Sequence, residues 1–186
     1  MTSRKQFAIV ALVVGLVAVL LAAGRTLLHN ELSPVGVGIQ APDFDAKTLD
    51  EKPRDKTLDD YRGQVLMINL WATWCLPCRV EMPSIESLHQ DYSAKGLRVV
   101  AISVDDPGTD AQVLSFVKQY KLTFEILRDP KGQLGDISRD YQTSGYPETV
   151  IVGRDGVIRK KLLGAHDWNS AENRALIERL LAEKAE

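Results

Sequence analysis

Cysteine is scarce in this 186-residue chain, which has two, at positions 75 and 78. A framework of several disulfides, the usual staple of small exported domains, is therefore excluded. Histidine is nearly as rare, and His29, His89 and His166 do not stand at finger spacing from one another. Two cysteines supply only half the ligands of a structural zinc site, and no metal or cofactor is expected. Acidic residues are missing from the front of the chain, where none precedes His29. Charge of either sign is missing from Phe7 to Gly24, a run of 18 residues reading FAIVALVVGLVAVLLAAG. An excess of basic charge is missing elsewhere. With Arg4, Lys5 and Arg25 set aside, 20 basic residues face 25 acidic ones, a net of −5, which argues against a nucleic-acid surface. There are no internal repeats and no low-complexity tracts.

The uncharged run has a physical reading. As a helix it covers roughly 27 Å, close to the hydrocarbon thickness of a bilayer. Gln6 and Arg25 can snorkel at its ends. A soluble core would have to hide such a helix on every face, which a domain of this size rarely does. Arg4 and Lys5 before the run, against Arg25 after it, place the N-terminus inside and the rest of the chain outside. Residues 1–28 are thus expected to form a single membrane anchor. A cleaved signal peptide also fits, since Ala22, Ala23 and Gly24 offer small residues to a protease. Either way the remainder lies outside the cytoplasm. No cysteine follows the run, which argues against a lipoprotein. Residues 29–40, with Pro34, Gly36 and Gly38, read as a linker, and residues 41–186 as the folded domain.

Within that domain Gln64 to Leu70 (QVLMINL) is nearly continuous apolar sequence, as in a central buried strand. Helical spacing follows from Leu76 to Tyr92, with Ile85, Leu88 and Tyr92 on one face. Pro83 is expected to kink this helix and Gly96 to end it. Leu97 to Val104 is a second buried strand. Ala111 to Tyr120 reads as a helix with Val113, Leu114 and Val117 inward. Thr123 to Leu127 reads as a short strand and Gln133 to Tyr141 as a short helix. Thr149 to Val152 and Val157 to Leu163 flank Gly153-Arg154-Asp155-Gly156 as an antiparallel hairpin. Ser170 to Lys184 closes the chain as a helix, with Leu176, Ile177, Leu180 and Leu181 on one face. The order predicts an α/β sandwich with a mixed sheet flanked by helices.

The chemistry concentrates in Trp71-Ala72-Thr73-Trp74-Cys75-Leu76-Pro77-Cys78. A CxxC that follows a buried strand and opens a helix puts its first sulfur at the helix N-terminus. Unpaired N–H groups and the helix dipole favour a thiolate there, and the thiolate is the attacking species. Cys78, one turn on, can resolve a mixed disulfide from within. Pro77 suits the first turn, where its missing N–H costs nothing. A static disulfide closing so small a loop removes little chain entropy, so it is a poor staple. A peroxidatic cysteine would follow a proline by seven residues and a threonine by three. Those places hold Ile68 and Ala72 for Cys75, and Trp71 and Cys75 for Cys78.

This segment, followed by Arg79, Glu81 and Pro83, resembles the thioredoxin superfamily, and more narrowly its membrane-anchored TlpA/ResA/DsbE (CcmG) group. Ala41-Pro42-Asp43-Phe44, a helical insertion at 109–120 and Gly145-Tyr146-Pro147-Glu148-Thr149 fit the same group. The resemblance implies a thioredoxin-like fold over residues 36–184 and several roles. Pro147 matches the cis-proline that lines the substrate groove, and the backbone of Tyr146 would offer strand-like bonds to a substrate. Trp74 would shield the thiols. Glu81 matches an acid near the thiols that could carry the proton of Cys78, although an exposed glutamate in the first turns of a helix is the plain reading. Glu148 is a second candidate for tuning the site. Two departures stand out. Thioredoxin carries a buried aspartate where this chain has Asn69, and the DsbE branch has a proline where this chain has Leu76.

The resemblance implies an extracytoplasmic protein-disulfide reductase acting on exported proteins. Apocytochrome c during cytochrome c maturation is the favoured substrate, and a membrane thiol transporter the source of electrons. A peroxiredoxin-like thiol peroxidase and a redox-inert binding module are the alternatives. The remaining acids, Asp105, Asp106, Asp110 and Asp129, read as solvated turn residues. His89 reads as a helix-surface residue, and His166 and Trp168 as part of the loop before the last helix.

Overall fold

The computed structural model describes residues 7, 9–20 and 35–183. The chain divides into two compact units, 1–34 and 35–186. In the first, Phe7 and residues 9–20 are helical and exposed. Among the described residues no helix is long and apolar enough to cross a membrane. Residues 8 and 21–24 of the expected span, and the basic residues flanking it, lie outside the described residues.

The second unit is built on seven strands: β1 (Ala46–Thr48), β2 (Asp55–Lys56), β3 (Val65–Trp71), β4 (Leu97–Ser103), β5 (Glu125–Arg128), β6 (Glu148–Val152) and β7 (Ile158–Leu163). Its helices are α1 (Leu76–Tyr92), α2 (Asp110–Tyr120), α3 (Asp136–Asp140) and α4 (Ala171–Ala182). The strands form one sheet in the order β2-β1-β5-β4-β3-β6-β7. β3, β4 and β5 run parallel, and β1, β6 and β7 run antiparallel to their neighbours. This is the expected mixed thioredoxin-like sandwich.

β3 shows why the apolar run is unbroken. All seven of its residues are buried, but alternate residues point to opposite faces. Val65, Met67 and Trp71 join one core, with Met82, Ile85 and Leu88 of α1, Phe116 of α2 and Ile177 of α4. Leu66, Ile68 and Leu70 join the other, with Phe44, Tyr61, Ile137 and Tyr141. A strand covered on both faces has no polar side to show.

α1 runs without a break through Pro83 and continues as a 3-10 turn over Ser93–Lys95. Gly96 stops it with a left-handed φ of 105°. The expected inner face of α2 needs correction. Val113 and Phe116 are buried, whereas Leu114 is 48% exposed. Phe116 stacks on Tyr120 at 4.3 Å and packs on Trp71 at 4.7 Å, and that aromatic contact sets the rotation of the helix.

The β1–β2 hairpin went unread in the sequence because strands of three and two residues carry no usable periodicity. It is held at the sheet edge, with Lys47 ion-paired to Asp55. Gly38 and Ala41 donate backbone bonds to the carbonyls of Ile158 and Gly156, and Ile39 accepts from the N–H of Ile158. Residues 35–40 are thereby held against the start of β7.

Candidate active site

Cys75 caps the N-terminus of α1, with extended backbone angles and its sulfur accepting from the N–H of Cys78 at 3.2 Å. Cys75 and Cys78 are joined as a disulfide, their Cα atoms 5.3 Å apart. Cys78 is fully buried and Cys75 nearly so. The apolar side chains of Trp74, Leu76 and Val80 stand exposed around them. Pro77, in the first turn, is also exposed.

The loop that presents Cys75 is tied down by a residue the sequence reading placed in a solvated turn. Asp105 is buried. Its carboxylate accepts from the N–H of Thr73 at 2.9 Å, the hydroxyl of Thr73 at 2.6 Å and the hydroxyl of Ser103 at 2.7 Å. The signal was available: an acid two residues past a serine, at the C-terminal edge of a buried strand. Arg79 adds a bond from Nη2 to the carbonyl of Thr73 at 2.7 Å. Val104 N–H closes on the carbonyl of Trp71 at 2.9 Å.

The Tyr146–Pro147 peptide bond is cis. Trp74 meets the Tyr146 ring edge-on at 6.0 Å, and the Tyr146 hydroxyl pairs with that of Ser138 at 2.7 Å. Trp74, Tyr146, Ser138, Arg139, Thr143 and Ser144 line a groove of about 530 Å³.

Glu81 is 1% exposed, not the solvated glutamate of the plain reading. Asn69 Nδ2 donates to one carboxylate oxygen at 2.7 Å. The N–H of His166 and the indole N–H of Trp168 donate to the other, both at 3.3 Å. Burial outweighs these bonds and pushes the pKa of Glu81 up to about 7. Asn69 and Trp168 therefore belong to the site. In sequence the first stands out only as a departure from thioredoxin, the second only as part of a loop.

Glu148 is also buried, which raises its pKa. It accepts from the hydroxyl of Thr143 at 2.9 Å and lies 3.6 Å from Lys161 Nζ. In register it stands opposite Leu70, while its neighbour Thr149 stands opposite Asn69. Cross-strand partners share a face, so Glu148 is on the face away from α1 and Thr149 on the face toward it.

Two other sequence readings change. Asp129 is buried rather than solvated, pressed against Gly135, where a Cβ would collide with its carboxylate. His89 is half-buried, edge-on to Phe124 at 6.0 Å, and burial lowers its pKa. Among the described residues no cluster of histidine, cysteine and acid groups could hold a metal.

Comparison with known proteins agrees with this geometry. The AhpC/TSA family model matches residues 37–161. The thiol-disulfide oxidoreductase ResA of Oceanobacillus iheyensis is 38% identical over 131 residues, which are 69% of this chain and 66% of that protein. The chain thus spans just under two thirds of that relative's length. The thioredoxin-like protein YneN of Bacillus subtilis is 44% identical over 137 residues, 71% of this chain and 76% of that one. Among solved structures, a candidate thiol:disulfide interchange protein DsbE from Chlorobium tepidum superposes with a TM-score of 0.64 at 32% identity, covering 81% of this chain and 98% of its own. A buried disulfide at the head of α1, a cis bond before Pro147 and these relatives lead to one conclusion: the chain belongs to the AhpC/TSA family, as a thioredoxin-fold thiol–disulfide oxidoreductase closely related to the ResA type.

Proposed function

We propose that the chain works on the extracytoplasmic side of the membrane, held there by residues 7–24, and reduces disulfides of exported proteins, apocytochrome c above all. The observation that carries this reading is the disulfide at a helix N-terminus, next in sequence to Trp74 on the rim of a groove, with the buried carboxyl of Glu81 three residues past Cys78 on the same helix.

In the reduced protein the thiolate of Cys75, favoured by the first N–H groups of α1, attacks one sulfur of the partner's disulfide. The partner's other sulfur leaves as thiolate and takes up a proton. Cys78 then loses its proton to Glu81 and attacks the Cys75 sulfur. The second partner sulfur leaves, takes up a proton, and the Cys75–Cys78 bond closes. Two electrons have passed to the partner. A membrane thiol donor returns two electrons and two protons to the pair. Trp74, Pro77, Tyr146 and Pro147 border the substrate segment, with the Tyr146 backbone pairing to it as a strand edge does. The bonds of Glu148 to Thr143 and Lys161 favour Glu81 as the proton carrier.

The DsbE name of one structural relative and the ResA name of another support the substrate class. The test is a Cys78→Ser variant expressed in the native cell, which arrests the reaction at the mixed disulfide. An adduct containing an apocytochrome CxxCH peptide is expected. Adducts with unrelated partners only would remove the assignment.

A further inference from the structure

Asn69 is fully buried on β3. Both hydrogens of its amide are used, one on Glu81 Oε1 at 2.7 Å and one on Thr149 Oγ1 at 2.8 Å. Its carbonyl oxygen has no hydrogen-bond partner. A buried acceptor left unpaired is costly. An amide, however, has almost the same shape after a half-turn about its last bond. That turn places Oδ1 where Nδ2 stands, within reach of Glu81 and Thr149 together, and moves the NH2 to the side where no partner stands. A protonated Glu81 has an O–H to give, and so does the Thr149 hydroxyl. The arrangement in the structure suits the carboxylate, and the turned one suits the acid.

We propose that Asn69 is a two-way positioning residue: it turns its NH2 to Glu81 when Glu81 is charged and its carbonyl when Glu81 holds the proton taken from Cys78. This rests on Glu81 as the proton acceptor of Cys78. An aspartate in this place would set a second acid against the first, whereas an amide serves either state of its neighbour without titrating. The surroundings leave the exchange to these two side chains. From the loop between β7 and α4, the N–H groups of His166 and Trp168 hold the far oxygen of Glu81 at 3.3 Å. The His166 ring itself faces the carbonyl of Leu163. On α1 the hydroxyl of Ser84 is bonded to the Glu81 carbonyl at 2.8 Å, and Cys78 is held in the disulfide. On β6 Glu148 is engaged with Thr143 and Lys161.

The experiment is NMR on the full-length oxidised protein, labelled with 13C and 15N in detergent micelles. The Glu81 carboxyl carbon and the Asn69 side-chain amide are followed from pH 5 to pH 9. One shared midpoint is expected, with the Asn69 amide protons losing their hydrogen-bonded shifts and exchange protection on the acid side. Amide protons equally shifted and protected on both sides of the Glu81 titration overturn the proposal. A second arm uses Asn69→Leu. The charge-assisted bond lost from the carboxylate is stronger than the neutral bond lost from the acid. The Glu81 midpoint therefore rises by about one unit, and the pH profile of disulfide exchange moves with it. An unmoved midpoint in a folded variant also overturns the proposal. Glu81→Gln, assayed separately for exchange rate, judges the proton role alone. Full activity there sinks both readings, while a loss there with fixed Asn69 amide signals sinks only this one.

Discussion

Glu81 shows how a single side chain changes meaning with its surroundings. Its ordinary pKa of 4.5 is pushed up to about 7 by burial. The folded state thus binds this proton more tightly than the unfolded chain does. Below about 4.5 the group costs folding nothing. Stability falls as the pH climbs from there to about 7, and no further above it, by on the order of 3 kcal/mol. Glu81→Gln is expected to remove that slope, which denaturant melts of both proteins between pH 4 and pH 8 will measure. Asp105 acts by bonds alone. Asp105→Ala leaves the Thr73 N–H and the Ser103 hydroxyl without their acceptor. A loss of about 2–4 kcal/mol is expected in chemical denaturation, together with faster amide exchange at Thr73 and Cys75.

The elements owe their places to which face they bury. Sequence spacing puts Val113, Leu114 and Val117 on the inner face of α2, but its rotation follows Phe116, wedged between Trp71 and Tyr120. Phe116→Ala is expected to cost about 3–5 kcal/mol. Leu114→Ser, on the exposed side, is expected to change stability by about 0.5 kcal/mol or less. Urea unfolding of the two variants decides between the rotations, since the reverse ranking would put Leu114 inside. α1 carries the site because its N-terminus opens where β3 ends. Its own face of Met82, Ile85 and Leu88 fixes it to the sheet, so the cysteines are presented by a rigid element rather than by a free loop.

Taken entire, the chain is a folded unit of residues 35–186 behind a front unit of different composition. The front carries the uncharged run and its basic flank. A protein beginning at Val35 is expected to melt cooperatively and to reduce insulin disulfides at the rate of the full chain. The full chain, unlike the shortened one, is expected to float with lipid vesicles. Mass spectrometry of the membrane fraction should find residues 1–24 still attached. A mature chain starting after Gly24 would replace the anchor by a cleaved signal.

The unbroken apolar runs, the helical spacing between them, the CxxC spacing and the Gly153–Gly156 turn were legible from local chemistry. Local chemistry therefore determined the sandwich, the hairpin and the position of the two sulfurs. The bonds of Asn69, Asp105 and Trp168 were not legible: a buried strand, an acid beside a serine and a loop tryptophan can each be placed in sequence, but not the distant partner that packing brings to them. Their partners stand 12, 32 and 87 residues away along the chain, at Glu81 from Asn69, at Thr73 from Asp105 and at Glu81 from Trp168. Burial and distant hydrogen bonds are properties of packing, and packing alone pushed the pKa of an ordinary glutamate up to about 7.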